Sequence, residues 1–302
     1  MTTRNKILLG IVSLFFLTSY QNNSCNCDYT KNYYQLVYQA EIHYLSNEFS
    51  EAYTLLKKAD SNCGGLLNQE EINETRIMAE CCMRLGKEKE VLHYLKSYVD
   101  HGMKLSNVES SDIFAPLKKN PEWNNLVVYA NAANAAFDKK INKELREEII
   151  QMKIADQKVR QQPINWQVVQ KTDSLNEIRI KEIIKQYGYP NADLIGPSTW
   201  ESRTDITVML MHFNDTTYFK PVLLDYIRKG QAAPNLLANM IDSRLRFAGQ
   251  YSYGIYDNVD STAIKDFHKI DERRMAIGLP PYKLRKKKME IIRKKYPELF
   301  KK

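Results

Sequence analysis

Apolar residues recur every three to four positions along most of the chain, which is the spacing of amphipathic helices. The clearest case is residues 29–60, where two such runs flank a polar turn: Leu36, Ala40 and Tyr44, then Ala52, Leu56 and Ala59. Glycine and proline are few, 11 and 10 of 302 residues, which argues against a many-turned β protein. The pattern predicts an all-α fold, with a short strand or an ordered loop at 250–256, where aromatic and polar residues alternate weakly.

Small residues lie at intervals in the first two helical runs. Ala40, Ala52 and Ala59 let the two helices approach closely, and the small/large/small arrangement resembles a tetratricopeptide repeat. Repeats of this kind stack into a solenoid and present a concave surface to a peptide or protein partner. The resemblance therefore implies a partner surface in this half of the chain.

A weaker copy of the same pattern follows 39 residues later, with Ala79 in the place of Ala40 and Val91 in the place of Ala52. The segment 112–126 resembles the closing piece that often follows such repeats in exported bacterial proteins. We therefore predict a tetratricopeptide-like helical repeat domain over residues 25–130.

The organising stretch of the second half is the apolar run 205–215. A single histidine, His212, lies near its end, among otherwise apolar neighbours. We predict that this run contributes to the core and that His212 lies where the core meets a cleft. The alternative is a histidine that is satisfied within the core.

Asp156 falls on the buried stripe of a helix predicted over 141–162, one turn after Met152. A carboxylate on an apolar face needs a partner, and Arg160 lies one turn further on. Two interpretations stay open: an internal Asp156–Arg160 salt bridge, or a charged pair that lines a pocket.

The next helix is predicted to begin at Asp173–Ser174, with Ser174 and Glu177 as a capping box.

A later helix carries a second polar pair, Asp242 and Arg244. They are two residues apart, so they cannot share a helix face and must have different surroundings.

The second half contains a set of short motifs in a fixed order. They are M-x-x-x-D-Q-x-x-R at 152–160, Y-G-Y-P at 187–190, Gly196, Trp200, His212, D-x-R at 242–244, Tyr253-Gly254 and R-R-x-x-x-G-L at 273–279. Their order resembles an uncharacterised bacterial domain family, often exported and sometimes fused behind tetratricopeptide-like repeats. The resemblance covers about 141–282 and brings no established activity with it.

The sequence departs from that family at three positions. Met211 stands where the family has glutamine, Asn214 where it usually has aspartate, and Tyr256 where it has glutamine. These losses of polar groups would blunt a catalytic site, and they favour binding without turnover.

The candidate functional residues follow from these motifs. Catalytic candidates are His212, Asp156 and Asp242, and ligand-binding candidates are Arg160, Trp200, Arg244, Tyr253 and Arg273. A histidine beside carboxylates is able to act as an acid or base, but the chain has no nucleophile motif, no P-loop and no His-rich metal spacing. We expect no metal and no cofactor. The favoured hypothesis is a binding protein with a polar or anionic ligand; the alternative is a hydrolase-like enzyme with His212 as general base.

The N-terminus has the features of an export signal. Arg4 and Lys6 precede the apolar segment 7–17, and polar residues follow it. We predict a signal peptide over 1–24 and a periplasmic or envelope-associated protein, with lipid anchoring at Cys25 as an alternative.

Export makes disulfides the default for the cysteines. There are five, all in the first third of the chain, so at least one has no partner within the chain. Cys27–Cys63 is one candidate pair, because it would join the start of the first hairpin to its end. A zinc site is disfavoured by the Cys-x-Cys spacing and the adjacent Cys81 and Cys82.

The net charge of +8 is concentrated at the C-terminus, where residues 265–302 hold 14 Lys/Arg against 5 Asp/Glu. Residues 283–302 are predicted to form a basic amphipathic helix or tail. No aromatic platform accompanies its lysines, which disfavours a nucleic-acid partner. A solvated helix and a peripheral membrane contact are the remaining interpretations.

Overall fold

The computed structural model describes residues 27–69, 72–198, 204–257 and 259–300. Throughout this part of the chain the regular structure is helical, and the only β pairing is an isolated bridge between Tyr251 and Ile264. The predicted all-α fold is confirmed, and 250–256 is an ordered loop that carries this bridge. The predicted signal peptide, Cys25 and Trp200 lie outside the described residues.

The first part of the chain consists of two antiparallel helical hairpins after a single short turn. Their helices are α1 (Tyr29–Asn32), α2 (Tyr34–Leu45), α3 (Phe49–Cys63), α4 (Glu74–Arg84) and α5 (Glu88–Asp100). The small residues that predicted close helix approach, Ala40, Ala52, Ala59 and Ala79, are completely buried. The Cys27–Cys63 disulfide is present, and Cys81 and Cys82 are free and buried.

The segment after the hairpins packs onto them and then continues into the second half. It contains α6 (Ser106–Glu109), two 3-10 turns and α7 (Glu122–Lys140). Its apolar residues Phe114, Leu117 and Leu126 are buried. The backbone leaves the helix at Ile141, and the Asn142 side chain accepts a hydrogen bond from Leu145 N at the start of the next helix.

The second half is a set of helices of unequal length. They are α8 (Lys143–Lys158), α9 (Trp166–Tyr187), α10 (Ala192–Ile195), α11 (Thr207–Leu210), α12 (Thr216–Arg228), α13 (Pro234–Arg246), α14 (Ile270–Ala276) and α15 (Tyr282–Lys295). Helices α8 and α9 form a hairpin, and α11 packs against both of them. Helix α13 packs against α11 and α12.

The predicted start of α9 is wrong by about two turns. The helix begins at Trp166, and the Asn165 side chain caps it by accepting hydrogen bonds from two backbone N–H groups of the first turn. Asn165 is a good N-cap residue, which sequence reasoning overlooked in favour of Ser174. The Ser174 hydroxyl instead donates to Gln170 O inside the helix.

The apolar residues of α9 do not all lie on its buried face. Ile183 and Ile184 are buried, whereas Leu175 and Ile178 are 57% and 55% exposed. The buried side chains of this helix form one stripe, and Leu175 and Ile178 lie outside it; the stripe consists of Val169, Asn176, Ile180, Ile183 and Ile184.

The two halves share one buried apolar cluster, which extends from Tyr33 to Leu279. The Tyr34 hydroxyl lies 3.2 Å from both Ile227 O and Ala232 O, and Gln35 Nε2 donates to Leu279 O at 2.8 Å. Helix α2 therefore makes specific contacts with the second half.

The basic C-terminal helix α15 also packs on α2. Tyr282 at its start is buried, and Lys288 Nζ lies 2.7 Å from Glu41 Oε2. Its apolar residues Leu284 and Met289 are partly buried and line a cavity at this junction. Among the helices in the described ranges, none has the length and apolar character needed to cross a membrane.

Candidate functional site

The centre of the site is Asp156, which lies on the same buried stripe of α8 as Leu145 and Ile149. Its side chain is completely buried. Arg160, one turn further, places Nη1 3.1 Å from Asp156 Oδ1 and donates to the Asp156 backbone oxygen at 2.7 Å. The expected Asp156–Arg160 salt bridge is confirmed.

Arg160 also reaches the neighbouring helix. Its Nη2 lies 2.5 Å from Asp173 Oδ1 on α9, so the guanidinium bridges the two carboxylates. The α8–α9 hairpin makes this possible, because an antiparallel turn brings positions 13 residues apart opposite each other.

His212 joins the cluster from the apolar run 205–215. Met209, Leu210 and Phe213 of that run are buried in the core, as predicted. The His212 side chain is 25% exposed and turns towards α8, with Nδ1 3.3 Å from Asp156 Oδ1. His212 therefore lies at the edge of the core, with one ring nitrogen beside a buried carboxylate.

The loop that carries His212 is held from two sides. Glu177 on α9 accepts from Asn214 N at 2.6 Å. Arg244 on α13 donates to Phe213 O at 3.1 Å and to Asn214 Oδ1 at 2.5 Å. Since these contacts fix the two residues after His212, they restrict the direction of its imidazole.

Electrostatics favours an ionised Asp156. Burial acts to raise the pKa of this carboxyl, but hydrogen bonds from His212 and Gln157, and the positive charges of His212 and Arg160, outweigh it and hold the pKa below its usual 3.8. Gln157 Nε2 donates to Asp156 Oδ2 at 2.6 Å. Both carboxylate oxygens are thus satisfied by donors.

A cavity of about 360 Å³ opens beside this cluster, a size within the usual range for small-ligand sites. Its lining residues are Lys153, Gln157, Asp205, Thr207, Val208 and Met211. Gln157 lines the cavity and donates to Asp156, so this one side chain connects the cavity to the cluster, while Asp156, Arg160 and His212 lie behind the wall. Lys153 Nζ lies 2.6 Å from Asp205 Oδ2, which leaves the wall polar without a large net charge.

Asp242 serves a different part of the structure. Its buried carboxylate accepts hydrogen bonds from the backbone N–H groups of Ser252, Tyr253 and Ile255, at 2.7, 3.0 and 3.2 Å. Arg273 donates to Ser252 O from Nε and Nη2, at 3.3 and 3.2 Å. These three candidates, Asp242, Tyr253 and Arg273, organise the 250–256 loop. The expected division of Asp242 and Arg244 between two surroundings is confirmed.

The structure therefore places the described site residues that were predicted from the sequence in separate groups. Asp156, Arg160 and His212 come together, Arg244 fixes the His212 loop, and the remaining described candidates belong to the loop network around Asp242. Sequence reasoning missed Asp173, Gln157 and Glu177. Asp173 was assigned to a helix start, and a correct N-cap at Asn165 would have placed it on α9 facing Arg160.

Three of these side chains have the chemistry of metal ligands. One ligand atom from each of Asp156, Asp173 and His212 lies within 4.8 Å of the others. The Arg160 guanidinium contacts both carboxylates. A cation would have to displace that guanidinium, so the geometry fits the arginine-bridged form best.

In comparisons with known proteins, no family model, no curated protein and no solved structure matches this chain.

Proposed function

We propose that this chain is an exported binding protein whose second half holds a small polar ligand in the cavity beside the Asp156–His212 cluster. The observation that carries the proposal is Gln157, which lines the cavity and donates a hydrogen bond to the completely buried Asp156. Arg160 and His212 contact the same carboxylate from behind this wall. A fixed hydrogen-bonding wall of this kind orients a polar ligand and discriminates against wrong ones.

The composition of the wall narrows the class of ligand. Lys153 and Asp205 neutralise each other, while Gln157 and Thr207 offer neutral polar groups. Val208 and Met211 supply apolar contact. A neutral or weakly anionic molecule with several hydroxyl or amide groups, such as a sugar or a cell-wall peptide, suits this surface better than a multiply charged one.

The first test is thermal unfolding of the purified protein against sugars, cell-wall fragments, nucleotides, peptides and divalent metals. We expect one polar class to raise the melting temperature of the wild type and not that of a folded His212→Ala variant. His268 is exposed and distant in sequence, so His268→Ala is the matched control and should respond like the wild type. If no class raises the melting temperature, or if His212→Ala responds unchanged, the proposed site is wrong.

An acid/base enzyme is the second candidate, and the His212–Asp156 contact favours it. An ionised carboxylate beside Nδ1 orients an imidazole and leaves Nε2 to exchange protons with a substrate. Turnover of the ligand found above, with a pH profile that His212→Asn abolishes, would establish this role. Binding without turnover would exclude it for that ligand.

The repeat-like first half suggests a protein or peptide partner as well. The α2 face is covered by the second half, through Tyr34, Gln35 and the Glu41–Lys288 pair. We therefore assign the partner surface to the later helices of this half, α4 to α7. Contact of the basic helix α15 with a membrane remains part of the proposal, and dependence of vesicle binding on salt concentration is its test.

A further inference from the structure

Arg274 is the most unusual charged residue of the second half. Its side chain is only 1% exposed, which is rare for an arginine. The guanidinium donates from Nε to Pro280 O at 2.6 Å and from Nη1 to Tyr253 O at 2.5 Å. Both acceptors are neutral carbonyl groups, so these bonds hold the guanidinium in place without compensating its charge.

No carboxylate compensates it directly. Within the ranges that the structure describes, no Asp or Glu oxygen lies within 4.0 Å of the Arg274 guanidinium. Asp242 and Asp271 act on it through space, but Asp242 accepts from the 252–255 backbone and Asp271 accepts from Tyr282 N at 2.7 Å. A buried cation without a direct counter-charge is costly, and it is a feature of anion sites.

A second arginine strengthens the positive field. Burial lowers the pKa of Arg274 to about 10, and the nearby charge of Arg285 on α15 contributes to the same shift. Arg285 is paired with Asp257 at 2.7 Å and also donates to Ile255 O, so it is fixed in position.

Both arginines line a cavity of about 300 Å³ between α2, α13 and α15. Its apolar lining consists of Tyr38, Ile42, Ile255, Leu279, Pro280, Leu284 and Met289. At about 30 Å³ for each water-sized group, the space holds roughly ten such groups. The cavity is therefore large enough for a small amphiphile rather than for an isolated ion.

We propose that this junction cavity binds an amphipathic anion, with a carboxylate or phosphate head at Arg274 and Arg285 and a short apolar chain against Leu284 and Met289. The head would give Arg274 the counter-charge that it lacks, and charge-assisted hydrogen bonds to guanidinium groups are among the strong ones. Since the walls come from both halves of the chain, such a ligand would also strengthen the contact between α2 and α15. This site is separate from the Asp156–His212 cluster.

The test is isothermal titration calorimetry of the purified protein with four probes below their micelle-forming concentrations. Octanoate and octyl phosphate carry both an anionic head and an apolar chain. Octyl glucoside lacks the charge, and inorganic phosphate lacks the chain. We expect binding of at least one of the two amphipathic anions, and their ratio identifies a carboxylate or a phosphate head. Octyl glucoside and inorganic phosphate should bind at least about tenfold more weakly, because each loses one class of interaction.

Two variants test the position of the site, and each has a control variant on an exposed residue. Arg285→Gln should weaken anion binding about tenfold, while Lys287→Gln removes the same charge from the exposed side of α15 and should change binding less than about twofold. Leu284→Trp fills the cavity without touching its charges and should abolish binding, while Leu299→Trp, at a residue 69% exposed, should not. These variants avoid Arg274, whose replacement removes two buried hydrogen bonds.

The proposal is overturned if neither amphipathic anion binds, or if octyl glucoside binds as well as they do. It is equally overturned if folded Leu284→Trp binds like the wild type. None of these results bears on the His212 site, because His212→Ala should bind the amphipathic anion normally.

Discussion

Two completely buried acids, Glu74 in the first half and Asp156 in the second, are accommodated in opposite ways. Glu74, at the start of α4, accepts from Gln69 N at 2.7 Å and lies 3.5 Å from the Tyr33 hydroxyl. No cation contacts it among the described residues. Asp156 has Arg160 and His212 on one oxygen and the amide of Gln157 on the other.

The consequence is a difference in charge at neutral pH. Burial is the main cause that raises the pKa of Glu74, and neutral donors offset it only partly, so the pKa rises from 4.5 to about 8. Burial also acts to raise the pKa of Asp156, but the hydrogen bonds from His212 and Gln157, with the charge of Arg160, hold this pKa below the usual value. The comparison teaches that burial alone does not determine ionisation, because the neighbouring donors and charges decide it. Glu74 is a structural acid, and Asp156 is the anionic centre of a polar cluster.

The largest effect is expected from Asp156→Asn. This substitution keeps the shape but removes the charge that Arg160 and His212 face, and breaking a buried pair from one side costs about 3 kcal/mol or more. Chemical denaturation at pH 7 measures the loss. Asp225→Asn, which breaks an exposed pair with Lys229, is the control and should cost less than about 1 kcal/mol. Equal losses in the two variants would show that Asp156 carries no special stabilisation.

Glu74→Gln should stabilise the protein at pH 8, whereas Asp156→Asn destabilises it. Because the native pKa is raised, the folded protein binds this proton more tightly than the unfolded chain does, so wild-type stability falls as pH rises from about 4.5 to about 8. At about 1.4 kcal/mol for each pH unit, the fall by pH 7 is on the order of 3 kcal/mol. Glutamine mimics the protonated acid, so the variant should lack this slope and be more stable than the wild type at pH 8.

Denaturation midpoints from pH 5 to pH 9 test this expectation. Glu51 is exposed on the neighbouring helix α3, and Glu51→Gln should retain the wild-type slope. A parallel pH dependence in wild type and Glu74→Gln would mean that Glu74 is ionised when buried, like Asp156. At acid pH the two acids again affect stability differently, because the stabilisation contributed by Asp156 is lost as pH falls through its lowered pKa.

The comparison also shows what could be predicted from the sequence. Asp156 and Arg160 are four residues apart in the helix predicted over 141–162, so helical spacing predicted both the burial and the pair, although α8 ends at Lys158 and Arg160 lies in the turn after it. The contact with His212 crosses 56 residues and depends on how α11 packs against α8, which no local pattern encodes. Glu74 was missed because the repeat-like pattern marks small apolar positions and gives no signal for a buried acid that accepts from Gln69 N.

Arg160→Gln should make the Asp156 site resemble the Glu74 site, because it leaves a buried carboxylate without a permanent cation beside it. With the permanent cation removed, Asp156 keeps only the hydrogen bonds from His212 and Gln157, so fewer groups oppose burial and the pKa of this carboxyl should rise. We expect a loss of about 2 kcal/mol at pH 7, measured by chemical denaturation. Arg228→Gln, at an exposed arginine, should change the stability by less than about 0.5 kcal/mol. A loss no larger than that of Arg228→Gln would show that Arg160 does not stabilise the buried carboxylate.

The smallest effect belongs to His212→Asn, and it separates a structural from a functional histidine. Asparagine can still donate one hydrogen bond to Asp156, and Arg160 and Gln157 remain on the carboxylate, so the stability loss at pH 7 should be about 1 kcal/mol or less. His268→Asn gives the baseline for an exposed ring. A loss near 3 kcal/mol would instead mean that His212 is the main partner of Asp156. A small loss combined with a lost ligand response would mean that the buried carboxylate is stabilised by Arg160 and that the imidazole serves the cavity.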